Sequence, residues 1–161
     1  MARDIERDYA ELVESQPGQE LLLIGTLKGA FVFLADIARE LALPVVVDFV
    51  RLASYQSGSA TTGEVRLLLE PSLELRGRHV LAVEDMVDTG LTAQRLSEEL
   101  RRHGPASLEL CALLDKPGRR RVEVPIRYSG FTIEDIFVVG YGLDYAERYR
   151  NLPDIRVLEQ E

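Results

Sequence analysis

Apolar and polar positions along the chain follow two periods. At helical spacing, Ile5, Tyr9, Leu12 and Val13 mark a helix over 4–15, which Pro17-Gly18 ends. Residues 21–24 are wholly apolar and read as a strand. Residues 25–29, Gly-Thr-Leu-Lys-Gly, read as a turn. A helix over 30–43 follows, with Phe31, Phe33, Leu34, Ile37, Ala38 and Leu41 near one face and Pro44 closing it. Residues 45–49 supply the next strand. The unit repeats at Val80-Leu81-Ala82-Val83, a short apolar run suited to a buried strand, which passes through a polar turn into a helical pattern from Leu91. Residues 107–114 form a strand that leaves through 115–118. After it Val122, Val124 and Ile126 alternate, 137–139 is a short apolar run, and Ile155, Val157 and Leu158 mark a last strand. Buried strands alternating with helices predict one α/β domain over 1–161, a twisted, mainly parallel sheet flanked by helices. Between the strands at 45–49 and 65–69, residues 51–63 are small, polar and Gly/Ser-rich, which fits a β-arm with a mobile tip.

The second unit carries the chemistry. Residues 79–93 read HVLAVEDMVDTGLTA. Two adjacent acids, Glu84 and Asp85, stand at the strand tip, where open α/β sheets bind ligands. Asp88, Thr89, Gly90, Leu91 and Thr92 lead into the helix. Backbone N–H groups of a Thr-Gly turn at a helix N-terminus form an anion site, and Thr89 and Thr92 add hydroxyl donors. Glu84 and Asp85 repel an anion at contact distance but suit sugar hydroxyls or a divalent cation. Asp88, between the two, suits a general base or an electrostatic stabiliser. A phosphorylated ribose carrying a metal-bound pyrophosphate meets all three demands. Helix capping accounts for one polar residue here, not for three acids.

Composition narrows the partners. The net charge of −8 opposes nucleic-acid and anionic-membrane binding. The one cysteine, Cys111, lies in an apolar run and reads as a buried inert thiol. No stretch has the length of a membrane span, and the acidic amphipathic start is unlike a targeting peptide, so a cytoplasmic protein is expected. Only two lysines, Lys28 and Lys116, stand among 19 basic residues, which singles out both; each ends an apolar run. The run Arg119-Arg120-Arg121 reads as a solvated turn.

The pattern acid-acid-x-x-Asp-Thr-Gly-x-Thr resembles the phosphoribosyl-diphosphate (PRPP) motif of type I phosphoribosyltransferases. With LKGA at 27–30, SY at 54–55, LLDKP at 113–117 and FVVGYGLDYAERYRNLP at 137–153, the ordered set is similar to the hypoxanthine-guanine phosphoribosyltransferases over nearly the whole chain. The resemblance implies transfer of 5-phosphoribose from PRPP to N9 of a 6-oxopurine, hypoxanthine or guanine, with Mg2+ and in a homodimer or homotetramer. It implies a core over about 1–130 and a small C-terminal hood over about 131–161. It assigns Glu84 and Asp85 to the ribose, Asp88 to Thr92 to the 5′-phosphate, and Asp88 to the purine N7 proton. Leu27, Lys28 and Gly29, with a Leu-Lys peptide that can be cis, and Arg150 fall to pyrophosphate. Lys116, Phe137, Val138 and Asp144 fall to the purine side. Asp144 falls also to the metal, with Glu84 and Asp85 as further candidates. Ser54 and Tyr55 fall to a closing loop. The chain starts closer to its first helix than the family's chains, so either the hood is smaller or its other parts compensate. Xanthine preference stays open. A nucleotide-sensing regulator that binds RNA should show a basic face, and a receiver-type signalling domain should carry its acid pair near the start of the chain.

Overall fold

The computed structural model describes residues 1–15, 20–54 and 65–158. Its apolar runs become strands buried on both faces. In β1 (Leu21–Leu27), Leu21 and Leu23 enter one core with Ile5, Tyr9 and Val13 of α1 (Ala2–Glu14) and Phe33, Leu34 and Ile37 of α2 (Phe31–Glu40). Leu22 and Ile24 enter a second core with Leu96 and Leu100 of α3 (Leu91–Arg102). β4 (His79–Val87) and β5 (Ser107–Asp115) repeat the division. Leu81, Val83 and Cys111 face α1 and α2, while Val80, Ala82 and Leu110 face α3. A strand covered on both sides has no polar face, so its sequence reads as a continuous apolar run. Each fully buried Leu or Val contributes roughly 1.5–3 kcal/mol.

With β2 (Val45–Ser54), β3 (Val65–Leu69) and β6 (Tyr128–Thr132), these strands make a six-stranded sheet in the order β3-β2-β1-β4-β5-β6. Every neighbouring pair is parallel except β2 and β3. The chain winds outward from β1 on one side and from β4 on the other. The crevice between their C-terminal ends is therefore the topological switch point of the sheet. Leu27-Lys28 and Glu84-Asp85 open onto it. A second, antiparallel sheet of β7 (Val138–Val139) and β8 (Arg156–Val157) comes from the segment expected to form the hood.

Several boundaries differ from expectation. The 25–29 turn starts only at Lys28, because Gly25, Thr26 and Leu27 stay paired with Phe49, Val50 and Arg51. α2 stops at Glu40, with Leu41 extended ahead of the stretch that carries Pro44. β2 runs past Phe49 to Ser54, with a register shift at Arg51/Leu52 where it pairs with β3, so the base of the arm is a real hairpin ladder. The arm's tip, including Tyr55, and Pro17-Gly18 lie outside the described residues. Val124 and Ile126 pack against the α3-side core without joining a ladder, and β6 takes the sheet edge instead. Cys111 is fully buried, which pushes its thiol up to about 12. Among the described residues no helix is long and apolar enough to cross a membrane.

Candidate active site

β4 carries its acids out of the core in alternation. Glu84 remains 3% exposed, and its Oε1 has no hydrogen-bond partner among the described residues. Burial, then the charge of Asp85, pushes its carboxyl well above the usual range; the Thr26 hydroxyl alongside, outside hydrogen-bond geometry, offsets this only in part. Asp85 points the other way, toward Gly29, where a Cβ would overlap its carboxylate. Burial raises Asp85 to about 6, against the pull of the Met86 amide at 2.9 Å and of Arg150. Asp144 adds to the rise that brings it there.

These two acids are held against their own solvation, so the fold is least stable when they are charged. Asp85→Asn is expected to stabilise the protein, measured without added ligand at pH 7.5, by on the order of 2 kcal/mol. Because the folded value lies above the ordinary 3.8, wild-type stability from this group is complete below about pH 4 and is lost as pH rises through about 6. The advantage of the variant in urea denaturation should therefore shrink below pH 6. An advantage that does not vary between pH 5 and 7.5 would rule out burial as its cause.

From Asp88 the chain turns through Gly90 at φ +87, a left-handed conformation that suits glycine, into α3. Gly90 is the N-cap and has no side chain to cap with, and the Leu91 amide meets Thr89 Oγ1 only at 3.5 Å, so the first turn still offers its amides to an anion. A neighbouring segment braces this loop. Arg120 Nη1 donates to the Asp88 carbonyl at 3.2 Å, and the amides of Arg121 and Val122 donate to the Thr89 carbonyl at 2.9 and 3.3 Å. Arg120 also pairs with Asp115. Arg119 places Nε 3.0 Å from Asp88 Oδ1 and reaches Asp135 at 3.1 Å. The triple-arginine run is thus not a plain solvated turn. A short 3-10 turn, Pro117–Arg119, aims two of its members at the loop.

Across the crevice, Lys116 is 6% exposed at the end of β5, and its ammonium donates to the Ile136 carbonyl at 2.6 Å. Phe137 keeps 43% of its surface open, edge-on to Tyr145 with ring centroids 5.5 Å apart. Its carbonyl accepts from Leu158 at 2.9 Å, which ties the cavity wall to β8. Asp85, Asp88, Lys116, Phe137, Val138 and Asp144 line one cavity of about 470 Å³, with Arg119 and Asp135 at its side.

A second group adjoins it. The Leu27-Lys28 peptide is cis. A Cβ on Gly142, whose φ is +98, would overlap the Gly29 carbonyl, so the two loops meet backbone to backbone. Arg150 donates to the Gly142 carbonyl at 2.9 Å and pairs with Asp144 at 2.8 Å. Lys28 and Arg150 both reach Glu147, at 2.6 and 3.4 Å. Leu27, Lys28, Gly29, Asp144 and Arg150 are therefore neighbours. Ser54 ends β2, and Tyr55 lies outside the described residues. Nothing in the sequence assigns Asp135 or Glu147 to the site, and Arg119 and Arg120 stand there only as members of a solvated run. Only the arginine run carried a signal. Among the described residues no three His, Cys, Asp or Glu side chains converge as a metal cage. Glu84 is thus not gathered with Asp85 and Asp144 in the way a three-acid set would need.

The phosphoribosyl transferase domain family matches residues 1–146. The hypoxanthine phosphoribosyltransferase of Salmonella typhimurium is 50% identical over 136 residues, 84% of this chain and 76% of that protein. The hypoxanthine-guanine phosphoribosyltransferase of Mycobacterium tuberculosis is 46% identical over 159 residues, 99% of this chain and 78% of that protein. Among solved structures, a hypoxanthine-guanine phosphoribosyltransferase of Bacillus anthracis superposes with a TM-score of 0.87 at 44% identity, over 98% of this chain and 89% of that one. The hypoxanthine phosphoribosyltransferase of Trypanosoma cruzi in complex with the product IMP superposes with a TM-score of 0.88 at 42% identity, over 98% and 85%. With a family match over most of its length and relatives this similar, the chain belongs to the phosphoribosyl transferase domain family.

Proposed function

We propose that this protein is a purine salvage enzyme that transfers 5-phosphoribose from PRPP to N9 of hypoxanthine or guanine, forming IMP or GMP and releasing pyrophosphate. The observation that carries this reading is a buried ammonium, Lys116, beside an open aromatic face, Phe137, across one cavity from Asp88 and Asp85. The base lies on Phe137, and Lys116 donates to its 6-oxo group with a proton not used by Ile136. The ribosyl carbon becomes oxocarbenium-like, so catalysis is mainly alignment and charge stabilisation. Glu84 and Asp85 hold the ribose hydroxyls. The loop from Asp88 to Thr92 takes the 5′-phosphate on the amides at the start of α3. Asp88 accepts or holds the N7 proton. Lys28, Gly29 and Arg150 take the pyrophosphate.

Asp144 and Asp85 fit magnesium, which binds through one or two carboxylates and takes its other oxygens from phosphates and water. Asp85 and Asp144 repel each other and Arg150 offsets this only in part, so a cation held by both carboxylates would relieve that repulsion. When bound it neutralises the leaving pyrophosphate. We infer one domain over 1–161 with a hood from about 131, working in the cytoplasm as a homodimer or homotetramer. The exposed Val47, Leu68 and Leu69 on β2 and β3 support self-association.

The deciding experiment offers hypoxanthine, guanine, xanthine and adenine separately with PRPP and Mg2+. Hypoxanthine and guanine should be turned over and adenine should not. No turnover of any base, with PRPP still bound, would replace this reading by that of a nucleotide-sensing regulator.

A further inference from the structure

Glu147 plays no part in the reaction derived above, yet its carboxylate sits on both cations assigned to pyrophosphate. Oε2 accepts from Lys28 Nζ at 2.6 Å, and Oε1 faces Arg150 Nη2 at 3.4 Å. The backbone sets that aim. Ala146, Glu147 and Tyr149 have φ of +49, +64 and +75, left-handed values uncommon outside glycine and asparagine. The Glu147 amide is tied to Asp144 Oδ2 at 2.8 Å. A helical or extended backbone would carry the carboxylate elsewhere. The pair with Lys28 is also exposed, the two side chains at 49% and 65%, so a stronger anion displaces it readily.

We propose that Glu147 is an internal stand-in for the leaving pyrophosphate: it neutralises Lys28 and Arg150 in the empty site, yields them to the diphosphate of the substrate, and takes them back as the product departs. The inference rests on the reading of the site as a PRPP site. A group that occupies part of a binding site lowers apparent affinity by the share of time it is there. The same competition speeds release, a step that often limits turnover. Glu147 thus keeps two cations oriented in the empty site, and it keeps pyrophosphate from binding so tightly that it stays.

Titration calorimetry with magnesium pyrophosphate tests this on the wild type, Glu147→Gln, Lys28→Met and the double variant. Glu147→Gln should bind about two- to five-fold more tightly, the range set by an exposed ion pair. Most of that gain should vanish in the Lys28→Met background, because the competition then has only Arg150 to act on. Unchanged affinity in Glu147→Gln overturns the proposal. Weaker affinity also overturns it and marks Glu147 as a ligand of the bound cation. Turnover of hypoxanthine by the same wild-type preparation separates the two levels. If IMP forms but the variant binds pyrophosphate no more tightly, only the inference falls. If wild type neither makes IMP nor binds pyrophosphate, the enzyme reading falls with it.

Discussion

Asp88→Asn is expected to lower kcat with hypoxanthine by about 10²–10⁴-fold, the range of general base catalysis, while IMP binding changes far less. The substitution is nearly isosteric, and the loop it sits in is held from outside the side chain. Arg120 grips the Asp88 carbonyl at 3.2 Å, and two amides of the next residues grip the Thr89 carbonyl. Gly90 needs nothing from the carboxylate to cap α3. On the proposed roles, the phosphate cradle therefore survives the change and only the proton acceptor is lost. Arg119, 3.0 Å from Asp88 Oδ1 and also paired with Asp135, is free to lean on the latter as the base arrives. The measurement is a split: kcat and the KM for PRPP in steady state, beside IMP affinity by calorimetry. A large fall in kcat with near-normal IMP affinity fits a group needed in the transition state. A fall in IMP affinity as large as that in kcat would instead make Asp88 a strut of the phosphate loop.

Much of this site could be read from the sequence because its parts lie at strand ends. A strand buried on both faces is an unbroken apolar run, so where the run stops a polar residue marks the sheet edge. Glu84, Asp85, Lys28 and Lys116 all announced themselves in that way. The run 88–92 was legible because a Thr-Gly turn ahead of a helix leaves few alternatives for three nearby acids. What stayed hidden depended on contacts remote in sequence. Glu147 meets Lys28 across 119 positions, and only a left-handed backbone turns it there. Arg119 and Arg120 looked like a solvated run because Asp88, which both reach, and Asp135 come to them only in the fold. The strand ends moved for a similar reason. β1 continues through Gly25-Thr26-Leu27 because β2 pairs with it to Arg51, a tertiary preference that outweighs the turn-forming composition.

Lys116→Met is expected to lower kcat/KM for hypoxanthine by roughly 10- to 100-fold and to raise adenine relative to hypoxanthine by a similar factor. Hypoxanthine presents an acceptor at position 6 and adenine a donor. A buried ammonium facing the 6-amino group leaves two donors opposed, and a buried donor without a partner costs about 1–3 kcal/mol. At 6% exposure Lys116 cannot turn to water to escape that cost, and its grip on the Ile136 carbonyl fixes where the ammonium points. Methionine has similar length and no donor, so it removes the preference without emptying the cavity. It also leaves the Ile136 carbonyl without its partner, which weakens both bases alike and cancels in their ratio. The ratio is therefore the quantity to measure, with a Lys116→Gln variant beside it. An amide can offer either its NH2 or its carbonyl to the ligand, so glutamine should fall between lysine and methionine. If adenine stays excluded by all three side chains while hypoxanthine simply weakens, selection comes from the shape of the cavity against Phe137, and the ammonium is there to hold Ile136.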